Sequence, residues 1–267
     1  FRRIMISIIK HPLFLFIGAL FLSACSNVLD LTPPNIVSEE EAFKTPAGVT
    51  AALSKLYSEA PFEDFMFGQG ASSAGLGFPT KEEETLTGYA LHVPNNDQGS
   101  TFLNGNGDMG ESWFNYSAIR NINKFLASLN TYAANFDPSQ VSVWRGEALT
   151  LRAWGYYAMA NRYGGVPIVD KVLDYDASGD VAALQIPRNS EKETWDFVLG
   201  DLDSAIALLP ASVGDGHVDR NVALTLKARA ALYAASIARF NTIVKMDDNT
   251  GKQLQGIPAS EDMGYYD

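Results

Sequence analysis

Between residues 141 and 169, apolar or small side chains recur at Trp144, Ala148, Leu151, Gly155, Ala158, Met159 and Tyr163. This three-to-four spacing predicts a helix with a buried face. Gly164 and Gly165 supply the left-handed backbone that ends it, and Pro167 forbids its restart. The same periodicity returns at Val49, Ala52, Leu53, Leu56 and Tyr57, after Thr45-Pro46, a cap followed by a first-turn proline. It returns again over residues 111–129 (Trp113, Tyr116, Ile119, Ile122, Phe125, Leu126, Leu129), with Asn123 beside the stripe, where a buried amide needs partners. Ser190 and Glu193 have capping-box spacing and open a helix with Trp195, Val198, Leu199, Leu202, Ile206 and Leu209 on one face, closed by Pro210. A last helix is predicted over 222–240, and Ser38 with Glu41 predicts a short one near the start.

One phrase is repeated. Ala148-Leu149-Thr150-Leu151-Arg152-Ala153 comes back 75 residues later as Ala223-Leu224-Thr225-Leu226-Lys227-Ala228. Small residues at this spacing let neighbouring helices approach closely, as stacked helix hairpins require. The fold class is therefore all-α, a tetratricopeptide-like stack with long irregular loops. Residues 166–169 allow one short strand, and 247–264 read as loop. Over 61–110 the helical pattern gives way to Gly, Asn, Ser and aromatics, and a run of this length inside a compact protein is where a ligand surface is expected.

The amino terminus reads differently. Arg2, Arg3 and Lys10 precede an apolar segment over 13–22, followed by Leu22-Ser23-Ala24-Cys25. The apolar run is too short to span a bilayer of roughly 30 Å as a helix, so it reads as an export signal. Its end resembles a bacterial lipobox, which makes Cys25 the acylated first residue of the mature protein. The organisation expected is a signal over 1–25, a tether over 26–37 stiffened by Pro33-Pro34, and a helical domain over 38–267, truncated at the carboxyl end. A formal charge of −11 disfavours nucleic acid and anionic lipid surfaces as partners.

Sugars present C–H faces that stack on aromatic rings and hydroxyls that bond to amides and imidazoles. Tyr89, His92, Asn95 and Asn96, with Asp97, gather those types in one short stretch and are the candidate ligand-binding residues. Asn104, Asn106 and Asp108 alternate like part of a calcium loop, but Met109 stands where such a loop needs Gly. Asp201 and Asp203 diverge around a helix and cannot pair as catalytic carboxylates. They read as surface charges or helix-packing partners. Arg152, on a small-residue helix, needs a carboxylate or carbonyl if buried. Glu147 lies five residues away, too far round the helix to be a simple mate. No zinc set, Walker loop, dinucleotide fingerprint or nucleophile elbow occurs, so neither catalysis nor a cofactor is expected.

A string of short motifs then resembles the SusD/RagB family of outer-membrane nutrient-binding lipoproteins. In order these are Cys25, Leu29-Asp30-Leu31-Thr32-Pro33, Tyr116-Ser117-Ala118-Ile119, Asn123-Lys124-Phe125-Leu126, Glu147 and Leu151-Arg152-Ala153. Tyr163-Gly164-Gly165-Val166-Pro167, Pro187-Arg188-Asn189-Ser190, Asp201-Leu202, Leu209-Pro210 and Lys227-Ala228-Arg229-Ala230 follow. The resemblance implies a lipid-anchored protein on the outer face of the outer membrane that captures an oligosaccharide or other nutrient. It implies no catalysis, and delivery to a SusC-like TonB-dependent transporter. Family members are about twice this length, so the chain corresponds to the amino-terminal half. The competing reading is a tetratricopeptide-like scaffold lipoprotein that binds envelope proteins.

Overall fold

The structure is a computed structural model, and it describes residues 39–60, 115–174, 181–214, 216–247, 249–261 and 264–265. Its helices in chain order are α1 (Glu39–Ala42), α2 (Pro46–Glu59), α3 (Tyr116–Tyr132), α4 (Pro138–Tyr163), α5 (Glu191–Leu208) and α6 (Arg220–Phe240). Short 3-10 turns lie at Ala133–Asn135, Val181–Leu184 and Ala259–Glu261. None of the described helices is long and apolar enough to cross a membrane.

Local signals set the boundaries. The Thr45 side chain accepts from the Gly48 N–H, with Pro46 in the first turn of α2. Asp137 and Pro138 open α4 in the same way, three residues before the predicted start. At α5 the reciprocal capping box is complete, with Ser190 Oγ accepting from the Glu193 N–H and Glu193 returning to the Ser190 N–H.

The helices form two successive antiparallel hairpins, α3–α4 and α5–α6. On α4, Gly155 lies against Ile119 of α3 and Arg145 bonds Asn130, so the two helices run in opposite directions. Gly146 lies against Ala205 and Leu209, whereas Tyr157 meets Trp195, which sets α5 antiparallel to α4. Lys227 to Asp203 and Tyr233 to Trp195 do the same for α6 on α5. The central helix is covered on several sides, by α2, α3 and α5. Of its 26 residues, sixteen from Val141 to Ala160 are buried. This accounts for the many Ala and Gly positions: a Cβ on Gly146 would come within 2.6 Å of Leu209 Cγ.

Two sequence expectations change here. Residues 166–169 are not a strand. Their N–H groups are satisfied by side chains instead, those of Val166, Ile168 and Val169 donating to Thr194 Oγ1, Asn189 Oδ1 and Tyr156 Oη. The stretch 247–264, read as loop, contains β2 (Gln253–Gln255), which pairs antiparallel with β1 (Lys245–Met246) just before it. Its turn is held by Asp247 Oδ1, which accepts from the Asn249 and Thr250 N–H groups, and by Gly251 at φ 67°. The two strands are too short to show an alternating pattern.

Gly164 and Gly165 end α4 for different reasons. Gly164 has φ 71° and needs glycine for its backbone. Gly165 has no positive φ, but a Cβ there would stand 2.0 Å from the Asn189 carbonyl oxygen. Arg188 then donates to the carbonyls of Tyr163 and Gly165, placing a cation on the carbonyl end of the helix.

Candidate functional site

Helix α4 carries two buried ionisable side chains, and each organises a polar knot. Arg152, 7% exposed, points its Nε and Nη2 at the two carboxylate oxygens of Asp201, at 2.7 and 2.8 Å. Its Nη1 donates to Asn123 Oδ1 at 2.8 Å and to the Asp170 carbonyl at 3.2 Å, and the guanidinium lies 5.2 Å from the Phe197 ring centre. Asn123 completes the set by donating to the carbonyls of Val169 and Lys171. Burial by itself lowers the Arg152 pKa, but the hydrogen bonds and charge of Asp201 outweigh it and hold the guanidinium above its ordinary value. Burial pushes the Asp201 carboxyl up, against the pull of Arg152. The knot joins α3, α4, α5 and the segment after Gly165. It is structural, as expected for Arg152. Asp201 is the packing partner, and Asp203, two residues on, is exposed and bonds Lys227 on α6.

The second knot is Glu147, 1% exposed. Its Oε2 accepts from the Tyr57 hydroxyl at 2.5 Å and contacts His217 Nδ1 at 2.8 Å, and the Tyr57 oxygen in turn accepts the Val218 N–H at 2.8 Å. Burial, then the bond to Glu147, raises the Tyr57 pKa far above its ordinary value, so the phenol stays a donor. The knot ties α2 and α4 to the turn before α6. Unlike the first, it reaches solvent: the His217 side chain is 36% exposed and lines, with Glu147, a cleft of about 740 Å³. Gln140, Ser142, Ser212 and Arg220 also line it. Such a lining offers hydrogen bonds to a polar, hydroxylated molecule. A second hollow of about 500 Å³, between α4 and α6, is apolar and lined by Leu151, Trp154, Val222 and Leu226.

Sequence reasoning singled out Glu147 but not its partners. Tyr57 and His217 stand 90 and 70 residues away in the chain, and no local pattern announces either. The candidate ligand residues Tyr89, His92, Asn95 and Asn96, and the lipid-anchor residue Cys25, lie outside the described residues. Among the described residues, no group of three or more His, Cys, Asp or Glu side chains is placed to hold a metal ion.

A SusD-like family model, described as starch-binding and associating with the outer membrane, matches residues 90–241. SusD-like protein P2 of Formosa agariphila is 28% identical over 231 residues, covering 85% of this chain and 42% of that protein. SusD-like protein P38 of the same organism is 24% identical over 228 residues, covering 83% of this chain and 41% of that protein. Among solved structures, a SusD-like protein of Bacteroides fragilis matches with a TM-score of 0.55 at 26% identity, covering 78% of this chain and 38% of that one. A laminarin-binding SusD-like protein shares the fold with a TM-score of 0.54 at 18% identity, over 76% of this chain and 45% of its own. The chain thus spans about 42% of the length of the curated relative P2. Asn123, Glu147, Arg152, Arg188 and Asp201, all within the matched residues, knot the helices together, and with the family model matching more than half of its length the chain belongs to the SusD-like family.

Proposed function

We propose that the protein is a cell-surface lipoprotein that binds a glycan and delivers it to a SusC-like TonB-dependent transporter, without catalysing a reaction. The observation that carries this reading is the match of residues 90–241 to a family described as starch-binding and associating with the outer membrane. The laminarin-binding neighbour of the same fold supports a polysaccharide as the ligand class. In this reading the stacked hairpins are a rigid platform, Cys25 carries the acyl chains, and Tyr89, His92, Asn95 and Asn96 supply stacking and hydrogen bonds to sugar. The absence from the sequence of a recognisable catalytic motif agrees with a binding role.

The test is an affinity-gel and glycan-array screen of the protein without its signal, beside Tyr89→Ala and His92→Ala variants. Retardation by one glycan class, weakened in the variants, is the expected result. Folded protein that binds no glycan, or that releases shortened oligosaccharides, overturns it. Metabolic labelling with a fatty acid, lost in Cys25→Ser, checks the anchor.

A further inference from the structure

Two side chains of the polar cleft are each fixed through one nitrogen and have the others unspent. His217 is held through Nδ1 on Glu147 Oε2, and its Nε2 bonds none of the described residues. Arg220 is held through Nε, which donates to the Leu209 carbonyl at 2.9 Å, and its Nη1 and Nη2 likewise bond none of them. Both residues line the same cleft. A guanidinium with its two terminal nitrogens open is a permanently charged, planar fork that matches a carboxylate or a sulfate. The sequence as a whole carries a formal charge of −11, so cationic donors gathered in one cleft run against the overall charge.

The remaining lining narrows the kind of anion. An ionised Glu147 cancels one of the two cations that Arg220 and a protonated His217 supply, and the single net positive charge left suits a monoanion and disfavours a phosphate dianion. Ser139, Ser142 and Ser212 add hydroxyls and Gln140 an amide, while Val143 and Pro210 add apolar surface. One molecule that presents hydroxyls, a C–H face and a single negative charge is an acidic sugar. The volume of about 740 Å³ is in the range of small-molecule sites.

We propose that this cleft binds the monoanionic group of an acidic sugar, a uronate carboxylate or a sulfate ester, between the Arg220 fork and the Nε2–H of His217, with uptake of one proton by the imidazole. The bound imidazolium then donates on both sides, through Nδ1–H to Glu147 and through Nε2–H to the anion. The groups that face His217 permit this. Glu147 of α4 accepts from it, Tyr57 of α2 is a neutral phenol lying edge-on at 5.8 Å, and Arg220 of α6 shares the anion. Asp219, two residues on, is engaged in capping α6 through the Val222 N–H, and the end of α5 brings Leu208 and Leu209, which do not titrate. The inference rests on the glycan reading for the molecule that carries the anion.

The experiment is calorimetric titration of the protein without its signal with digalacturonate, a sulfated galactose disaccharide, neutral galactobiose, acetate and inorganic sulfate. One of the two acidic disaccharides is expected to bind about tenfold or more tighter than galactobiose, and which one it is identifies the anion. That preference is expected to grow as pH falls from about 8 to about 6, where an imidazole gains its proton and both anions keep their charge. It is expected to vanish in Arg220→Gln and in Ser212→Asp. The second variant places a carboxylate in the cleft at an exposed position that bonds none of the described residues, so it does not depend on the fold tolerating a lost contact. Equal affinity for acidic and neutral disaccharides overturns the proposal and leaves the glycan reading intact. A preference that survives both variants overturns it, because the anion then binds elsewhere, and one that ignores pH overturns the part given to His217. Acetate or inorganic sulfate bound as tightly as the disaccharides also overturns it, since the sugar then contributes nothing.

Discussion

The two knots on α4 centre on ionisable side chains five residues apart, both buried, and they differ in what answers them. Arg152 faces an opposite charge, an amide and two aromatic or carbonyl neighbours in a closed interior. Glu147 faces a phenol and an imidazole, and its imidazole stands at the rim of a cleft. An ion whose partner is an opposite charge is left bare when that partner is removed, whereas a carboxyl group held by separate phenol and ring-nitrogen contacts loses one hydrogen bond at a time. The helix is fixed at its centre by an all-or-none contact and nearer its start by a graded one.

The largest effect separates them most sharply. Arg152→Ala leaves the Asp201 carboxylate buried without a cation and is expected to cost roughly 3–5 kcal/mol in urea unfolding. The double variant Arg152→Met/Asp201→Leu is expected to recover most of that loss; a double variant no more stable than the single would mean that packing, not charge, sets the cost. Next comes Tyr57→Phe, which removes the donor to Glu147 and the acceptor of the Val218 N–H, and is expected to cost about 1–3 kcal/mol. His217→Ala, acting on a side chain one-third exposed, is expected to cost about 1 kcal/mol or less, so a loss matching that of Tyr57→Phe would break the graded picture. Lys227→Ala removes a surface pair and is expected to change stability by roughly 0.2–1 kcal/mol.

The smallest effect is a pH dependence. Hydrogen bonding from Lys252 first, and from Ser190 and Asn189, holds the Glu193 carboxyl at about 2, below its ordinary 4.5. A depressed carboxylate contributes stability that is complete above the ordinary value and is lost as pH falls through about 4.5 toward 2. Because the Glu193 side chain is 45% exposed, solvent screening limits this to a few tenths of a kcal/mol. Lys252→Met should flatten the acid limb of a melting-temperature profile by that small amount, and an unchanged profile would assign the limb to other carboxylates.

Helix ends were legible in the sequence because their chemistry is local. Thr45-Pro46 and Ser190 with Glu193 cap the helices they were read to cap. The opposed fates of Asp201 and Asp203 follow from helical geometry alone. That Arg152 and Asn123 need partners could also be read, but which partners could not, since Asp201 lies 49 residues and Asn123 29 residues from Arg152. The β1–β2 ladder was missed because two- and three-residue strands carry no periodicity. The Glu147 knot was half visible: a glutamate inside a buried phrase signals a need, but nothing near Tyr57 or His217 answers to it.

The bond from the Val218 N–H to the Tyr57 oxygen spans 161 residues of chain. The hairpins, by contrast, join helices that are neighbours in sequence, such as Asn130 with Arg145, fifteen residues apart. Closing a loop costs entropy that grows with its length, and contacts between near neighbours form first. The order of assembly that follows is α3–α4 and α5–α6 as early units, their docking through Arg152, and α2 arriving last to complete the Glu147 knot. Refolding followed by amide protection should therefore find α2 the slowest helix to become protected, although it is the first long helix in the described part of the chain.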